Sequence, residues 1–166
     1  MPDPVVRTLS DSERGQAVDW AADRLQGETA YVSHGEMLDG RAGLDGRWDP
    51  QLAKVLAREW VGTDARLYIA EDQGEWLGLL AASDHVVERP GRSPVSIAFL
   101  DDLIVDAASR TRGVGSLLVD TFEAECRTRG VQAIFLEHGH GNDRADRFFR
   151  VRGYGETSSV MMKSLD

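Results

Sequence analysis

A short turn near the middle of the chain contains residue types that could bind an anion. It consists of Arg110, Thr111, Arg112, Gly113, Val114, Gly115 and Ser116, between an apolar run and an amphipathic pattern. The first N–H groups of a helix have no partner within the helix, and the helix dipole makes that end positive. Glycines let a ligand approach the backbone, and arginines donate to phosphate oxygens. The turn predicts a phosphate site, and a tight turn with solvated arginines is the alternative.

Two adjacent aspartates, Asp101 and Asp102, stand just before that turn. They precede the apolar residues Leu103, Ile104 and Val105. A carboxylate in this place can orient a cationic amine and accept its proton, which is the role of a general base. Neighbouring strand residues face opposite sides, so at most one aspartate is expected to face a cleft unless the strand is bulged. The alternative is that the carboxylates cap a strand or pair with an arginine.

Further titratable residues follow the next apolar run, where Glu137, His138 and His140 occur in "EHGHGN". Glu137 is a second candidate base, and a solvent-facing strand end explains it equally well. The histidines titrate near neutrality and could relay a proton, although exposed loop histidines are the simpler explanation. No matched set of ligands surrounds them, so no metal site is predicted.

The elements that position these residues follow from hydrophobic periodicity. Val114, Leu118, Phe122 and Cys126 recur every four residues and mark the clearest helix. Residues 27–50 form a long glycine-rich segment, and loops of this length are usually functional or mobile. The predicted strands are residues 5–9, 65–71, 77–87, 95–105, 131–137 and 156–165, and the predicted helices are 12–25, 50–61, 114–129 and 143–152.

Length and composition describe one globular domain. The chain has 166 residues, so a single domain over residues 1–166 is expected. Hydrophobic residues make up 42%, which allows a core without covalent support. Cys126 is the only cysteine, so no intrachain disulfide can form. Because strands and helices mix along the chain, the class is α+β or α/β around one mixed sheet.

The net charge, the lack of long apolar stretches and the N-terminal sequence argue against several classes of partner. A net charge of −9 argues against nucleic acid as the main partner, because phosphate binding needs a basic face. The charge permits a cationic partner, although acidic surfaces also serve solubility. No apolar stretch approaches the roughly 20 residues that span a bilayer. The N-terminus has no signal-peptide pattern, so no membrane association is expected and the cytoplasm is the expected location.

The order of motifs resembles the GNAT superfamily of acyl-CoA-dependent N-acetyltransferases. Residues 110–115 match its Gln/Arg-x-x-Gly-x-Gly/Ala motif. A second family pattern, an Asn followed by an Ala, an aromatic pair and a Gly-aromatic pair, is matched by Asn142, Ala145, Phe148, Phe149, Gly153 and Tyr154. The specific motifs lie in residues 99–154. The resemblance implies an α+β fold with a mixed, mostly antiparallel, twisted sheet that helices flank and that splays at the acyl-CoA cleft.

The resemblance also implies roles for these residues. Acetyl-CoA would be the co-substrate, with its pyrophosphate on the Arg110–Gly115 turn and Ser116 at the helix start. The pantetheine arm would lie beside Leu103, Ile104 and Val105, with Asn142 and Phe149 on the same coenzyme side. Family members often have a tyrosine where this chain has Phe149, so the usual general acid is absent. The segment around Trp48 corresponds to a variable lid, and its acidic residues suit a cation.

The resulting hypothesis is an N-acetyltransferase that acts on a small cationic amine of the polyamine, diamine or aminoglycoside type. Asp101 is favoured as base or amine anchor, Asp102 comes second and Glu137 third. One alternative is a non-catalytic acyl-CoA-binding or regulatory module, which Phe149 favours. Another is an acetyltransferase for protein N-termini or lysines, which would need an open groove. A homodimer is left open.

Overall fold

The computed structural model of the protein describes residues 3–26 and 31–165. Its strands are β1 (Val5–Thr8), β2 (Arg66–Asp72), β3 (Glu75–Val87), β4 (Val95–Val105) and β5 (Ala133–Leu136). They form one sheet in the order β1-β2-β3-β4-β5. The pairs from β1 to β4 are antiparallel, and β4 with β5 is parallel. The prediction of an α+β fold with a mixed, mostly antiparallel sheet is confirmed.

Local sequence signals mark where several of the helices begin or end. They are α1 (Arg14–Gln26), α2 (His34–Leu38), α3 (Leu52–Trp60), α4 (Val114–Thr128) and α5 (Asp143–Arg150). A capping box of Ser10 and Glu13 opens the short 3-10 turn that leads into α1. Gly62, with φ of +72°, follows the end of α3. Helix α2 was not predicted, since five residues are too few for a visible apolar period.

Two hydrophobic cores lie on the two faces of the sheet. Helices α1 and α3 cover one face, which buries Leu52, Trp60, Ile69 and Leu79, and α4 covers the other, which buries Tyr68, Leu80, Leu118 and Phe122. The close approach of α4 depends on Gly78 of β3. A Cβ atom there would lie 2.9 Å from the Val114 side chain and 3.1 Å from the Ile104 carbonyl oxygen. Gly78 therefore places the first turn of α4 against the sheet.

The sheet separates where the cleft was predicted. Strand β5 pairs only with residues Ile97–Leu100 of β4, although β4 continues to Val105. Residues 101–105 thus have no β5 partner and expose one edge of β4. The predicted splay beside Leu103, Ile104 and Val105 is present, and it opens towards the turn that precedes α4.

One predicted element is wrong. Residues 156–165 form neither a strand nor a helix, and all of them are exposed. Their composition suits a strand, but a strand is stable only beside a partner that satisfies its N–H and C=O groups. The predicted strand over 131–137 is also shorter, at Ala133–Leu136. Within residues 3–26 and 31–165, no helix is long and apolar enough to cross a bilayer.

Candidate active site

Asp101 lies in a β-bulge of β4. On β3, Ala81 is opposite Asp102 and Ala82 is opposite Leu100, so Asp101 has no cross-strand partner there. The extra residue shifts the alternation: Leu100 faces the α4 core, whereas Ile104 faces the core under α1 and α3. Both aspartates consequently lie on the α1–α3 side of the sheet. Strict alternation would place two adjacent aspartates on opposite faces of the sheet, and the bulge places both on one face.

Asp102 is the buried member of the pair and is held by an arginine. Its side chain is 5% exposed, and Nη1 of Arg41 donates to its two carboxylate oxygens at 2.8 and 2.9 Å. Arg41 also contacts Glu59 and lies 3.2 Å from Asp39. Arg41 is itself buried, and desolvation by that burial lowers the pKa of its guanidinium. The three carboxylates raise the same pKa by more, so its net shift is upward. The arrangement corresponds to the ion-pair alternative for Asp102.

Asp101 is accessible to solvent and has different neighbours. Desolvation by the surrounding groups is the main cause that raises the pKa of its carboxyl to about 6, and the charge of Asp102 adds to it. A hydrogen bond from Ser83 and the charge of Arg41 oppose that rise. A carboxylate that is accessible and titrates near neutrality has the properties of a general base.

Side chains of three strands continue the same face beside Asp101. Nε2 of His85 lies 3.2 Å from Oγ of Ser83. The His85 ring meets the Phe99 ring edge-on at 5.3 Å between centroids, and Phe99 stacks on Phe135 at 5.4 Å. The Asp101 carboxylate thus stands at one end of a row of flat side chains that crosses β3, β4 and β5.

The segment before α3 (residues 31–51), which we call the lid, contacts this face of the sheet at Asp102 and Glu137. Ser33 and Glu36 form a capping box that starts α2. Nδ1 of His34 lies 2.9 Å from a carboxylate oxygen of Glu137, just past β5. Trp48 is half-buried and packs against the core of α1 and α3. Glu28, which the sequence assigns to the same acidic region, lies outside the described residues.

The lid and its neighbours carry an excess of negative charge. Desolvation is the main cause that raises the carboxyl pKa values of Glu36, Asp39 and Glu59. Arg41 is the cation that these groups share with the aspartates of β4. The carboxylates therefore outnumber the guanidinium by five to one, and they are Glu36, Asp39, Glu59, Asp101 and Asp102. This imbalance favours a cationic ligand.

The predicted coenzyme turn projects backbone groups at the start of α4. Thr111 and Gly113 have φ of +69° and +78°, and Gly113 is the N-cap residue of α4. A β-branched residue rarely adopts this conformation, and such strain concentrates at binding sites. Nε of Arg110 donates to the Val105 carbonyl oxygen at 3.3 Å, and Arg112 lies 4.0 Å from Asp72. The turn is thereby tied to the open end of β4.

Asn142 and Phe149 have structural partners. The Asn142 side-chain oxygen accepts the N–H of Ala145 at 3.1 Å and caps α5. Phe149 is buried, with its ring 5.0 Å from Phe148 and 5.4 Å from Tyr154 between centroids. The Tyr154 hydroxyl donates to Glu123 at 3.1 Å, and the half-buried Tyr154 ring packs against the core beneath α4. No group of three or more His, Cys, Asp or Glu side chains is arranged for a metal ion in residues 3–26 and 31–165.

Several residues of the site were missed from the sequence. Ser83 and His85 are two apart on one predicted strand, so alternation could have placed them on one face. The contact between Phe99 and Phe135 could not be predicted without the register of β4 and β5. Arg41 had no local signal, because it contacts Asp102 across 61 residues of sequence.

Three solved structures with the same fold are distant in sequence from this chain. A transcriptional regulator from Bacillus halodurans C-125 is 18% identical, with 98% of this chain and 99% of that chain covered and a TM-score of 0.66. The aminoglycoside N-acetyltransferase AAC(6')-Iy, in complex with a CoA-S-monomethyl-acetylneamine bisubstrate analogue, is 15% identical over 99% of both chains, with a TM-score of 0.69. An aminoglycoside acetyltransferase from an uncultured soil metagenomic sample, bound to sisomicin, is 16% identical over 98% and 97%, with a TM-score of 0.63.

Comparison of the sequence with family models gives more direct evidence of the family than these structures do. No curated protein sequence is a significant match to this chain. The model of the Acetyltransferase (GNAT) family matches residues 36–154, which include most of the lid, the bulged β4, the turn before α4 and α5. The chain therefore belongs to the GNAT acetyltransferase family.

Proposed function

We propose that the protein transfers an acetyl group from acetyl-CoA to the primary amine of a small cationic acceptor of the polyamine, diamine or aminoglycoside type. One observation carries the proposal. The bulge in β4 presents an accessible carboxylate with a pKa of about 6, Asp101, beside the buried Asp102 and the more exposed carboxylates around Arg41. This arrangement attracts a cation and can take a proton from it.

The coenzyme is assigned to the other side of the same strand end. The N–H groups at the start of α4 and the glycines of the turn suit the pyrophosphate of acetyl-CoA. The unpaired edge of residues 101–105 suits the pantetheine arm, which would hydrogen bond along Leu103, Ile104 and Val105. A backbone N–H near Leu103 would then stabilise the oxyanion. The thioester would lie within reach of an amine held at Asp101.

The reaction is a direct acyl transfer. The acceptor enters as an ammonium ion and loses one proton to the Asp101 carboxylate, directly or through water. The neutral nitrogen then attacks the thioester carbon, so the N–C bond forms and the C–S bond breaks. The second nitrogen-bound proton neutralises the leaving thiolate of coenzyme A. The Ser83 hydroxyl donates to the Asp101 carboxylate and lies 3.2 Å from Nε2 of His85, which offers the first proton a path to the exposed His85 ring.

Family members with related folds support the acceptor class. The metagenomic aminoglycoside acetyltransferase is bound to sisomicin, and AAC(6')-Iy is bound to an acetylneamine analogue. In this chain the excess carboxylates at the lid provide the matching charge. Glu137, which pairs with His34, is proposed as a second carboxylate at the rim of the acceptor site.

An acceptor screen tests the proposal. The protein is incubated with acetyl-CoA and polyamines, diamines, aminoglycosides, neutral primary alcohols or a lysine peptide, and free thiol is followed. We expect thiol release with amines that carry two or more positive charges, and a lower rate with the peptide. Release that depends on the peptide but on no small amine would reject the acceptor class. The acetylated product is identified by mass.

A second candidate is a coenzyme-binding module without catalysis, and Phe149 favours it. This ring is buried where a family member often has a tyrosine hydroxyl for the leaving thiolate. Such a module would bind coenzyme A in a calorimeter but release no thiol with any acceptor. Thiol release by the wild-type protein would exclude this candidate and show that the thiolate leaves without a tyrosine.

A further inference from the structure

Flat side chains are open to solvent on the face of the sheet that α1 and α3 cover only in part. On this face Leu79 and Ala81 of β3 belong to the core beneath these helices. The next two residues of β3 on the same face, Ser83 and His85, are half-buried and exposed, respectively. On β5, the Phe135 side chain is 36% exposed. The helical cover of this face therefore ends before these residues begin.

The side chains of His85, Phe99 and Phe135, which we call the aromatic row, form one continuous surface across three strands. The strand register places Phe99 of β4 directly beside Phe135 of β5, and their rings stack with an angle of 26° between the planes. The His85 ring meets the Phe99 ring at 84°. Aromatic rings associate both stacked and edge-to-face, so the aromatic row offers contacts for one more ring in either geometry.

Negative charge lies at one end of the aromatic row. The Ser83 hydroxyl donates to the Asp101 carboxylate and lies 3.2 Å from Nε2 of His85. Glu137 lies two residues beyond Phe135, just past the end of β5. The three side chains of the aromatic row include no carboxylate. A ligand that matches both parts has a cationic group at one end and an apolar group at the other.

We propose that the aromatic row binds a ring of the acceptor, so that the protein prefers a ring-bearing amine to a linear polyamine or diamine. This inference rests on the proposed function, because it places the ammonium group of the acceptor at Asp101. The ammonium group pairs with that carboxylate, and the ring packs on Phe99 and Phe135. The chemistry required is a ring with an apolar face, which either an aryl group or an amino sugar supplies.

The size of the aromatic row suits a small ligand. Three side chains on neighbouring strands span roughly 10 Å, which is the length of a ring together with its aminomethyl arm. A stable protein interface needs roughly 800 Å² on each partner. A linear amine gains only from the apolar area that it buries on the row, whereas a ring gains in addition from the ring–ring contact. That contact is worth about 2–10-fold in affinity.

The experiment measures amine affinity, because binding does not require turnover. The full chain is saturated with coenzyme A and titrated in a calorimeter with two pairs of amines. The aryl diamine p-xylylenediamine is compared with hexamethylenediamine, and neamine is compared with spermine. The members of each pair have the same number of amino groups, and only the first contains a ring. We expect the ring-bearing member of at least one pair to bind about 3–10-fold more tightly, and the pair that shows the difference distinguishes an aryl ring from an amino sugar.

Substitutions in the aromatic row test whether the preference arises there. Phe99→Leu keeps an apolar side chain but removes the ring, so the affinity ratio within the preferring pair should fall to about 1. Phe135→Leu, on a different strand, should lower the ratio as well. Val86→Ala is the matched control, because Val86 is 65% exposed on β3 but faces the other side of the sheet, and it should keep the ratio.

Thiol release with the same amines separates this inference from the proposed function. Release with every amine, together with equal affinities within both pairs, would overturn the ring site and leave the proposed function standing. A ring preference that Phe99→Leu abolishes, without thiol release, would support the ring site and reject acetyl transfer to these amines. A preference that survives both leucine variants would overturn the ring site. Leucine variants that change the mass in solution instead of the ratio would overturn it too, because a second copy of the chain would then cover the aromatic row.

Discussion

The proposed coenzyme side and the proposed acceptor side of the cleft are built in different ways. The coenzyme side is one continuous stretch, the end of β4, the turn and the first residues of α4. The acceptor side collects side chains from the lid, α3, β3, β4 and the end of β5. One side uses mainly backbone N–H groups, and the other uses mainly charged side chains.

Because of this difference, side-chain substitutions affect ligand binding differently on the two sides. Backbone N–H groups at a helix start bind the same phosphate whatever the neighbouring side chains are. A pocket of side chains from distant segments changes its ligand with each substitution. On the proposed acceptor side, the environment of the two aspartates depends on one backbone irregularity, the bulge in β4. The two adjacent aspartates differ in exposure and in partner because Asp101 lies in the bulge and Asp102 meets Arg41.

The largest expected effect is on the acceptor side, with Asp101→Asn. We expect turnover to fall on the order of 10²–10⁴-fold, because the amide cannot take the proton from the amine. In the wild type, activity should fall as pH drops through about 6, where Asp101 becomes protonated. The variant should lack this limb, and its deficit should shrink at high pH, where the amine arrives neutral.

The measurement is a pH–rate profile with the best amine of the screen. Asp84→Asn is the matched control, since it removes one carboxylate from β3 on the side of α4, where Asp84 pairs with Arg66 and Arg129. A rise in the Michaelis constant with unchanged turnover would assign Asp101 to anchoring alone. An unchanged profile would move the base role to Glu137.

The next effect concerns stability and tests whether Asp102 is structural. Arg41→Met leaves the buried Asp102 without its cation, and such a loss typically costs about 3–5 kcal/mol. For a chain of this size, each kcal/mol lowers the melting temperature by roughly 2–4 °C. Chemical unfolding at pH 7 measures the change in the free energy of unfolding.

The same lid offers a matched control for Arg41. The Arg47 side chain is 87% exposed and lies 3.8 Å from Asp45, so Arg47→Met should change stability by only about 0–1 kcal/mol. Equal destabilisation by the two variants would contradict the structural role of the Arg41–Asp102 pair. In Arg41→Met the loss of a cation that lowers the Asp101 pKa should also move the acid limb of the rate profile to higher pH.

The smallest of the three effects tests the coenzyme side. Gly115→Glu places bulk and negative charge where the pyrophosphate is assigned, and we expect coenzyme A to bind about 100-fold more weakly, or about 2.7 kcal/mol. Gly115→Ala is the control, because its Cβ would meet Val105 at 3.5 Å and Phe148 at 3.8 Å, which are ordinary contacts. Calorimetric titration reports both affinities. Unchanged affinity in a folded Glu variant would reject the phosphate site.

Most of the fold, including the turn before α4, was predictable from the sequence. The period of Val114, Leu118, Phe122 and Cys126 located α4, and all four side chains are buried as predicted. Apolar runs located β1 to β5 within a few residues, and the splay beside Leu103 followed from the family resemblance. The strand over residues 156–165 was predicted wrongly, because composition reports a tendency to form strands but not whether a partner strand lies beside the segment.

The sequence by itself determined the strand–turn–helix around Gly113, because glycine torsions and the free N–H groups of a helix start depend on adjacent residues alone. Only the tertiary structure decided which aspartate is exposed to solvent and which is buried. The bulge depends on the register between β3 and β4, and the burial of Asp102 depends on an arginine 61 residues away. Electrostatic properties such as the raised pKa of Asp101 arise from groups that meet only in the folded chain.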